Sequence, residues 1–384
     1  MKKNTRSLAL NPTAHPDRRL VLAAATGSAV AAMMPSVARA RDVGNAMEEA
    51  LAKVFEAEKP VALAGRFWKD GQTVWQGARG LRRAGGDAAV TVEDVWHLGS
   101  NTKAITAALW ARLVEQGRAQ WDRPLTQVVA AAFPDMAVHE AWADRTVEDF
   151  LRHRAGLYDT RHINGLWLMT ARADRKPLTE QRRAMVGRIL GAAPDGPRGT
   201  FQYGNANYIL VGALMEGLTG QSWEDLMRAE VFAPLGIATG GFGPPPGDQP
   251  WGHNGERPVD PAGGGGDNPP ALGPAGTAHM ALEDYGRFLN AMMSPGWLSQ
   301  DSLDKLLTPL EGEEYALGWI AMGRRGWASG PVLMHSGSNT MWFATAVLAP
   351  AVQQAFVTVA NDAAQGQRAC SILIPQMIAA STAS

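Results

Sequence analysis

The chain has 384 residues, 46% of them hydrophobic and 19% charged, with a formal net charge of −1. That balance supports a large buried core and excludes a disordered or fibrous protein. No clustered Lys/Arg surface of the kind a nucleic-acid partner requires stands out, so no such partner is expected.

The first forty residues read as a leader. Lys2, Lys3, Arg6, Arg18 and Arg19 make a basic start, residues 20–32 are mostly apolar and small, and Ala38-Arg39-Ala40 offers a small-x-small cleavage site. Thr26, Gly27 and Ser28 interrupt the apolar run, which is too short to span a membrane. Arg18-Arg19 resembles a twin-arginine export signal, and the general secretory route also fits. A frayed N-terminal helix is the alternative. The expectation is a signal peptide over 1–40 and a mildly acidic, periplasmic or secreted mature chain over 41–384, with no stable membrane span. The only cysteine, Cys370, excludes an internal disulfide and sits in apolar sequence as a buried thiol.

Residues 45–58 have the apolar spacing of an amphipathic helix, through Met47, Leu51, Val54 and Phe55. Residues 60–68 and 72–81 are short apolar runs separated by Lys69-Asp70-Gly71, a hairpin signal. Strand-length runs return at 316–322, 331–334, 342–349 and 355–360, and residues 363–380 close the chain as a helix. Between these ends, 104–115 and 207–218 have helical length, with Gly117 and Gly220 as stops. Residues 243–276 are rich in Gly and Pro and read as a long functional loop. Trp251, His253 and Asn254 in that loop are candidates to face a pocket. The predicted fold is α/β (α+β). A central antiparallel sheet is built from both chain ends (about 41–100 and 280–384) and flanked by helices, with a mostly helical region inserted at about 101–279.

Three common sites are excluded. No Ser sits in G-x-S-x-G, position 143 is Ala and breaks H-E-x-x-H after His139-Glu140, and no G-K-[ST] phosphate loop exists. The eight histidines lack metal-ligand spacing, so neither a metal nor another cofactor is expected. Ser100-Asn101-Thr102-Lys103 is an S-x-x-K. A serine hydroxyl needs a base, and on a helix a lysine three residues later shares its face. An amine taken out of water surrenders its charge more readily and becomes a usable base. The helix start adds free N–H groups and a positive dipole end, suited to an oxyanion. Alone the motif is weak, since about one S-x-x-K is expected by chance in a chain of this length. Ser302-Leu303-Asp304-Lys305 repeats it in a polar helix start, where Ser302 reads as a helix cap.

The surroundings of Ser100 are more specific. Trp96-His97-Leu98-Gly99-Ser100-Asn101-Thr102-Lys103 resembles the first motif of the penicillin-recognising serine hydrolases. That superfamily contains class C β-lactamases, D-alanyl-D-alanine peptidases, D-aminopeptidases and related esterases. His153-Arg154-Ala155-Gly156-Leu157 resembles the family's H-x-S-G-L, with Ala155 in place of the usual Ser. Tyr203-Gly204-Asn205 matches its Y-x-N, and His335-Ser336-Gly337 stands where K-T-G or H-x-G is expected. Pro234-Leu235-Gly236, Gly273-Pro274-Ala275-Gly276 and residues 357–361 fit further landmarks, so the resemblance covers roughly 45–380.

The resemblance implies roles. Ser100 attacks an acyl carbonyl, and Lys103 accepts or relays its proton. Tyr203 is general base and then acid. Asn205 orients Lys103 and the substrate. His335 replaces the third-motif lysine, and N–H groups near Gly337, those of Ser100 and Ser338, hold the oxyanion. Tyr203 also fits as a core tyrosine, His335 as a strand-end histidine and Trp342 as a packing residue. A His in place of Lys is only partly charged at neutral pH, which points away from a specialised β-lactamase. The expected function is an exported serine hydrolase of an amide or ester in a small molecule or peptide. The alternatives are a class C-like β-lactamase and a non-catalytic penicillin- or peptidoglycan-binding protein; a zinc hydrolase is a weaker third.

Overall fold

A computed structural model describes residues 24–383, so the basic start of the expected leader lies outside the described residues. A helix spans Ala24–Glu58, and the chain from Gly44 onward forms one compact unit. No helix among the described residues is long and apolar enough to cross a membrane.

The strands in chain order are β1 (Ala62–Lys69), β2 (Gln72–Gly80), β3 (Val95–His97), β4 (Gly241–Phe242), β5 (His253–Asn254), β6 (Arg257–Pro258), β7 (Ala278–Ala281), β8 (Ile320–Arg325), β9 (Gly330–Ser338), β10 (Phe343–Ala349) and β11 (Gln354–Ala360). Six of them make the main sheet in the order β2-β1-β11-β10-β9-β8, antiparallel throughout. Asp70 and Gly71 have φ of 52° and 74°, so both central residues of the β1–β2 turn are left-handed, as a type I′ hairpin requires. β10 and β11 are buried at every residue, which explains their unbroken apolar runs: both faces are covered. Met377 of the closing helix, Ala364–Thr382, reaches Gly65 on one face, while the Trp68 indole meets Gly286 of the helix Leu282–Ala291. The edge strand β8 is mostly exposed and ends on Arg324 and Arg325, charges that discourage further strand pairing.

The sheet from both chain ends is as the sequence predicts. The run 316–322 is corrected: the strand begins at Ile320, and Ala316–Trp319 forms a tight turn. Gly318 has φ +83°, and a Cβ there would stand 2.5 Å from Ala104 Cα, so the turn presses on the helix that follows Ser100. Ser302 is also corrected. The helix Gln300–Leu307 is capped by Ser299, whose side chain accepts from Ser302 N. Ser302 is buried, its Oγ donates to Glu115, and Lys305 binds Glu148 at 2.7 Å. The second S-x-x-K is therefore tied into the framework.

The inserted helices centre on Asn205–Thr219, buried along nearly its whole length and ended by Gly220 at φ 72°. Arg182, fully buried in the helix Leu178–Leu190, binds Glu216, Glu224 and the carbonyls of Pro270 and Ala271. One guanidinium thus joins the central helix to the loop that reaches the nucleophile. Arg182→Ala leaves two carboxylates without their counter-charge. It should lower stability by about 3–5 kcal/mol, read as a fall in the urea midpoint.

Candidate active site

Ser100 sits in a short 3-10 turn, Gly99–Asn101, between β3 and the helix Thr102–Glu115. The two residues between Ser100 and Lys103 fasten this turn. Asn101 Nδ2 donates to Leu98 O at 2.9 Å and its Oδ1 accepts from Tyr285 Oη at 3.1 Å. Thr102 Oγ1 donates to Gly99 O at 2.7 Å and accepts from Ala278 N at 3.0 Å. Gly99 and Gly337 lie face to face. A Cβ on Gly99 would stand 2.5 Å from Ser338 N, and one on Gly337 would stand 2.4 Å from Ser100 N. The structure therefore brings the backbone nitrogens of Ser100 and Ser338 to one place, where the sequence reading puts the oxyanion.

Lys103 is fully buried. Its Nζ lies 3.0 Å from Ser100 Oγ, 2.7 Å from Asn205 Oδ1 and 2.7 Å from Ala275 O. The S-x-x-K, the Y-x-N and Gly273-Pro274-Ala275-Gly276 thus converge on one nitrogen. Asn205 cannot turn its amide over. Its Nδ2 donates to Asp159 Oδ2 at 3.0 Å, and a carboxylate only accepts, so Oδ1 must face the lysine. Asp159 also accepts from the N–H groups of Asn205, at 2.7 Å, and Ala206, at 2.8 Å, capping the start of that helix.

Tyr203 and His335 complete the wall. The Tyr203 ring centroid is 4.9 Å from Lys103 Nζ, and its hydroxyl makes no hydrogen bond among the described residues. His335 on β9 is buried, with Nε2 3.5 Å from Tyr315 Oη and Nδ1 unpartnered among the described residues. Burial first, and the Lys103 charge second, push its pKa down to about 3. The expectation of a partly charged His335 is therefore corrected: its ring is neutral at neutral pH. A cavity of about 770 Å³ opens over these groups, lined by Ser100, Tyr203, Tyr315, His335, Gly337 and Ser338, with Phe201, Ile320 and Phe343 as apolar wall and Glu313 and Glu314 on one side. Lys103 and Asn205 do not line it; they support Ser100 from behind.

Sequence reasoning missed several residues here. Asp159 follows Gly156-Leu157 by two positions, and its opening of a short helix was the available signal. His153, quoted from the sequence for its resemblance to H-x-S-G-L but given no role there, has φ 59°, accepts from Gly204 N at 3.3 Å and packs on Tyr203 with centroids 4.4 Å apart. Tyr315 gave no local signal. The loop candidates are corrected. His253 is buried with Nδ1 2.8 Å from Asn361 O and Nε2 accepting from Ala84 N, Trp251 lies against the Arg83 guanidinium, and Asn254 is exposed. None of the three lines the cavity. Trp342 packs, stacked on His97 at 5.5 Å.

His335, His279 (pushed by burial to about 4) and His153 (well below its ordinary value, also by burial) are neutral when folded and bind protons near the usual 6.5 when unfolded. The unfolded state therefore holds more protons between about pH 6.5 and the folded values, and stability must fall as pH drops through that window. Urea midpoints measured from pH 7 to pH 4 should decline, and His335→Gln should flatten the slope by up to about 1.4 kcal/mol per pH unit.

Comparison with known proteins bears on the family and the fold. The Beta-lactamase family pattern matches residues 57–374. Unguisins hydrolase ungD of Aspergillus violaceofuscus (strain CBS 115571) is 25% identical over 365 residues, covering 80% of this chain and 61% of its own. Penicillin-binding protein 4 of Amycolatopsis lactamdurans is 32% identical over 163 residues, 42% of this chain and 39% of its own. The chain thus spans less than two thirds of these relatives' length. The crystal structure of SurE superposes with a TM-score of 0.69 at 22% identity, covering 90% of this chain and 76% of that one, a likeness of fold. With a family match over most of its length on a fold of the same kind, the chain belongs to the beta-lactamase family.

Proposed function

We propose that this chain is an exported serine hydrolase that opens an amide or ester bond through an acyl-enzyme on Ser100. The observation that carries this reading is the set of partners around Lys103 Nζ. Asn205 Oδ1 and Ala275 O can only accept, so they hold two N–H bonds of the amine. Ser100 Oγ, the third partner at 3.0 Å, is the one that itself carries a proton to give up, and the amine stands beside it to receive that proton in the proposed step.

Ser100 Oγ bonds to the acyl carbon as its proton passes to Lys103. The carbonyl oxygen takes the negative charge between the Ser100 and Ser338 nitrogens, in a donor pair that needs no reorganisation. On collapse the leaving group departs with a proton supplied through Tyr203, whose ring stands over the lysine nitrogen. Water, giving its proton to the same base, then cleaves the acyl ester and returns Ser100.

The charge pattern favours a peptidase, amidase or esterase over a specialised β-lactamase. His335 is neutral, Lys103 is fully engaged behind Ser100, and Arg154 pairs with Glu313. No unpaired cation among the described residues lines the cavity to fix a substrate carboxylate, while Glu314 stands on its wall without a side-chain partner among them. The leader-like first forty residues support export, and the relative named a hydrolase supports hydrolysis.

Wild-type protein should hydrolyse p-nitrophenyl acetate and gain one fluorophosphonate adduct on Ser100 by intact mass. Ser100→Ala should lose the adduct and about 10³-fold or more of the rate. Equal rates in both proteins would remove Ser100 as nucleophile. Absence of both adduct and turnover would favour a non-catalytic binder, and rapid cephalosporin turnover would restore the β-lactamase reading.

A further inference from the structure

Asp267 has no part in the reaction as derived above, yet it is tied to both halves of the oxyanion site. It belongs to the Gly- and Pro-rich stretch 243–276, and its side chain is only 4% exposed. Oδ2 accepts from His97 Nε2 at 2.8 Å. Oδ1 accepts from Asn339 Nδ2 at 2.7 Å and from Asn268 N at 2.7 Å. The other nitrogen of His97, Nδ1, accepts from Gly99 N at 3.1 Å, which places the ring proton on Nε2, facing the carboxylate. Asn339 Oδ1 accepts from the N–H groups of Met341 and Trp342. One carboxylate therefore holds the turn before Ser100 through His97 and the turn after Ser338 through Asn339.

Two further observations give this tie a purpose. Among the described residues no backbone hydrogen bond joins 98–101 to 337–340, so the two glycine-lined segments touch without a register of their own. In the second segment Thr340 has φ +75°, a rare conformation for a β-branched residue. Such strain costs about 1–3 kcal/mol and persists only where the surroundings over-determine it. A buried carboxylate is also a poor way to gain stability, since apolar packing of equal volume serves as well or better.

We propose that Asp267 is a positioning residue that sets the spacing between the Ser100 and Ser338 N–H groups, so that the loop 243–276 aligns the oxyanion site. The proposal rests on the acyl-enzyme reading above. It needs no contact between Asp267 and substrate. A displacement of about 1 Å at such donors is enough for a loss of about 100-fold.

Asp267→Asn keeps the shape but supplies one acceptor oxygen where two are used. Its kcat for p-nitrophenyl acetate should fall about 10- to 100-fold with KM nearly unchanged, short of the 10²–10³ that follows outright loss of an oxyanion donor. Adding Asn339→Asp exchanges amide and carboxylate. The amide now at position 267 donates to the carboxylate now at position 339 and its oxygen still accepts from His97, so both ties between segments return and only the bond from the adjacent Asn268 N is lost. The double variant should therefore recover kcat to within a few-fold of wild type. Loss of mere loop packing has no reason to be rescued this way. Amide resonances give an independent readout: Asp267→Asn should shift those of both Gly99 and Trp342. The proposal is overturned if the single variant keeps its kcat, if the exchange fails to rescue it, or if only one segment's amides move. Should Ser100→Ala hydrolyse as fast as wild type, the acyl-enzyme reading falls, while the amide spectrum still decides whether Asp267 joins the two segments.

Discussion

Where Gly99 faces Gly337, two backbones meet with no side chain between them. A methyl group on either would intrude to about 2.2–2.5 Å of the other segment's backbone. That contact is what allows β9 of the main sheet to pass beside the start of the helix carrying Lys103. Both sides of the contact present N–H groups to one cavity. The rest of the architecture keeps this approach open. The Gly318 turn pushes on the helix from beneath, Asn101 and Thr102 hold the turn before it, and Tyr285 reaches across to Asn101. Small residues make the approach possible, and polar ties give it a single geometry.

Lys103 presents the opposite problem. An amine removed from water is tolerable only if its hydrogens find partners. The three partners come from three distant segments, at positions 100, 205 and 275, and the one whose orientation matters most is fixed by Asp159. Burial also disfavours charge on the His335 ring, whose pKa is pushed down to about 3. Lysine and histidine thus share one low-dielectric pocket, and only the lysine is furnished with acceptors. That contrast is what favours the proposed proton transfer at Ser100 over the gripping of an anion.

Much of this was legible in the sequence where chemistry and spacing are local. The β1–β2 turn was readable because Asp-Gly is the residue pair its backbone demands, and the buried strands because their apolar runs are unbroken. Ser100, Lys103 and Asn205, which the structure brings together, were singled out through short strings in the right order, not through the S-x-x-K itself, which recurs at Ser302. What stayed hidden is tertiary. Asp159 and Asp267 act through hydrogen bonds to residues 46 and 72 or more positions away. Tyr315 enters the wall because Gly318 turns the chain. The 316–322 run was misplaced for that same reason, since an apolar stretch does not announce a left-handed glycine inside it. His253 drew attention as a loop histidine, whereas its two ring nitrogens serve the backbone of residues 84 and 361.

The pairing of β1 with β11 carries a consequence for how the molecule comes into being. Leu63 lies opposite Ala360, and Val61 N donates to Asp362 across 301 positions of chain. Contacts of such separation form late, because the ends must find each other before any pairing rewards the search. During synthesis the first hairpin emerges long before its neighbour β11 exists. Until the last strand arrives, β10 and β9 lack the layer that seats Gly337 against Gly99. Ser100, Lys103 and the helix that carries the lysine are made early, but Gly337 and Ser338, which face Gly99, come with the final fifth of the chain. A nascent chain of this protein therefore lacks the approach of Gly337 to Gly99 until the sheet closes.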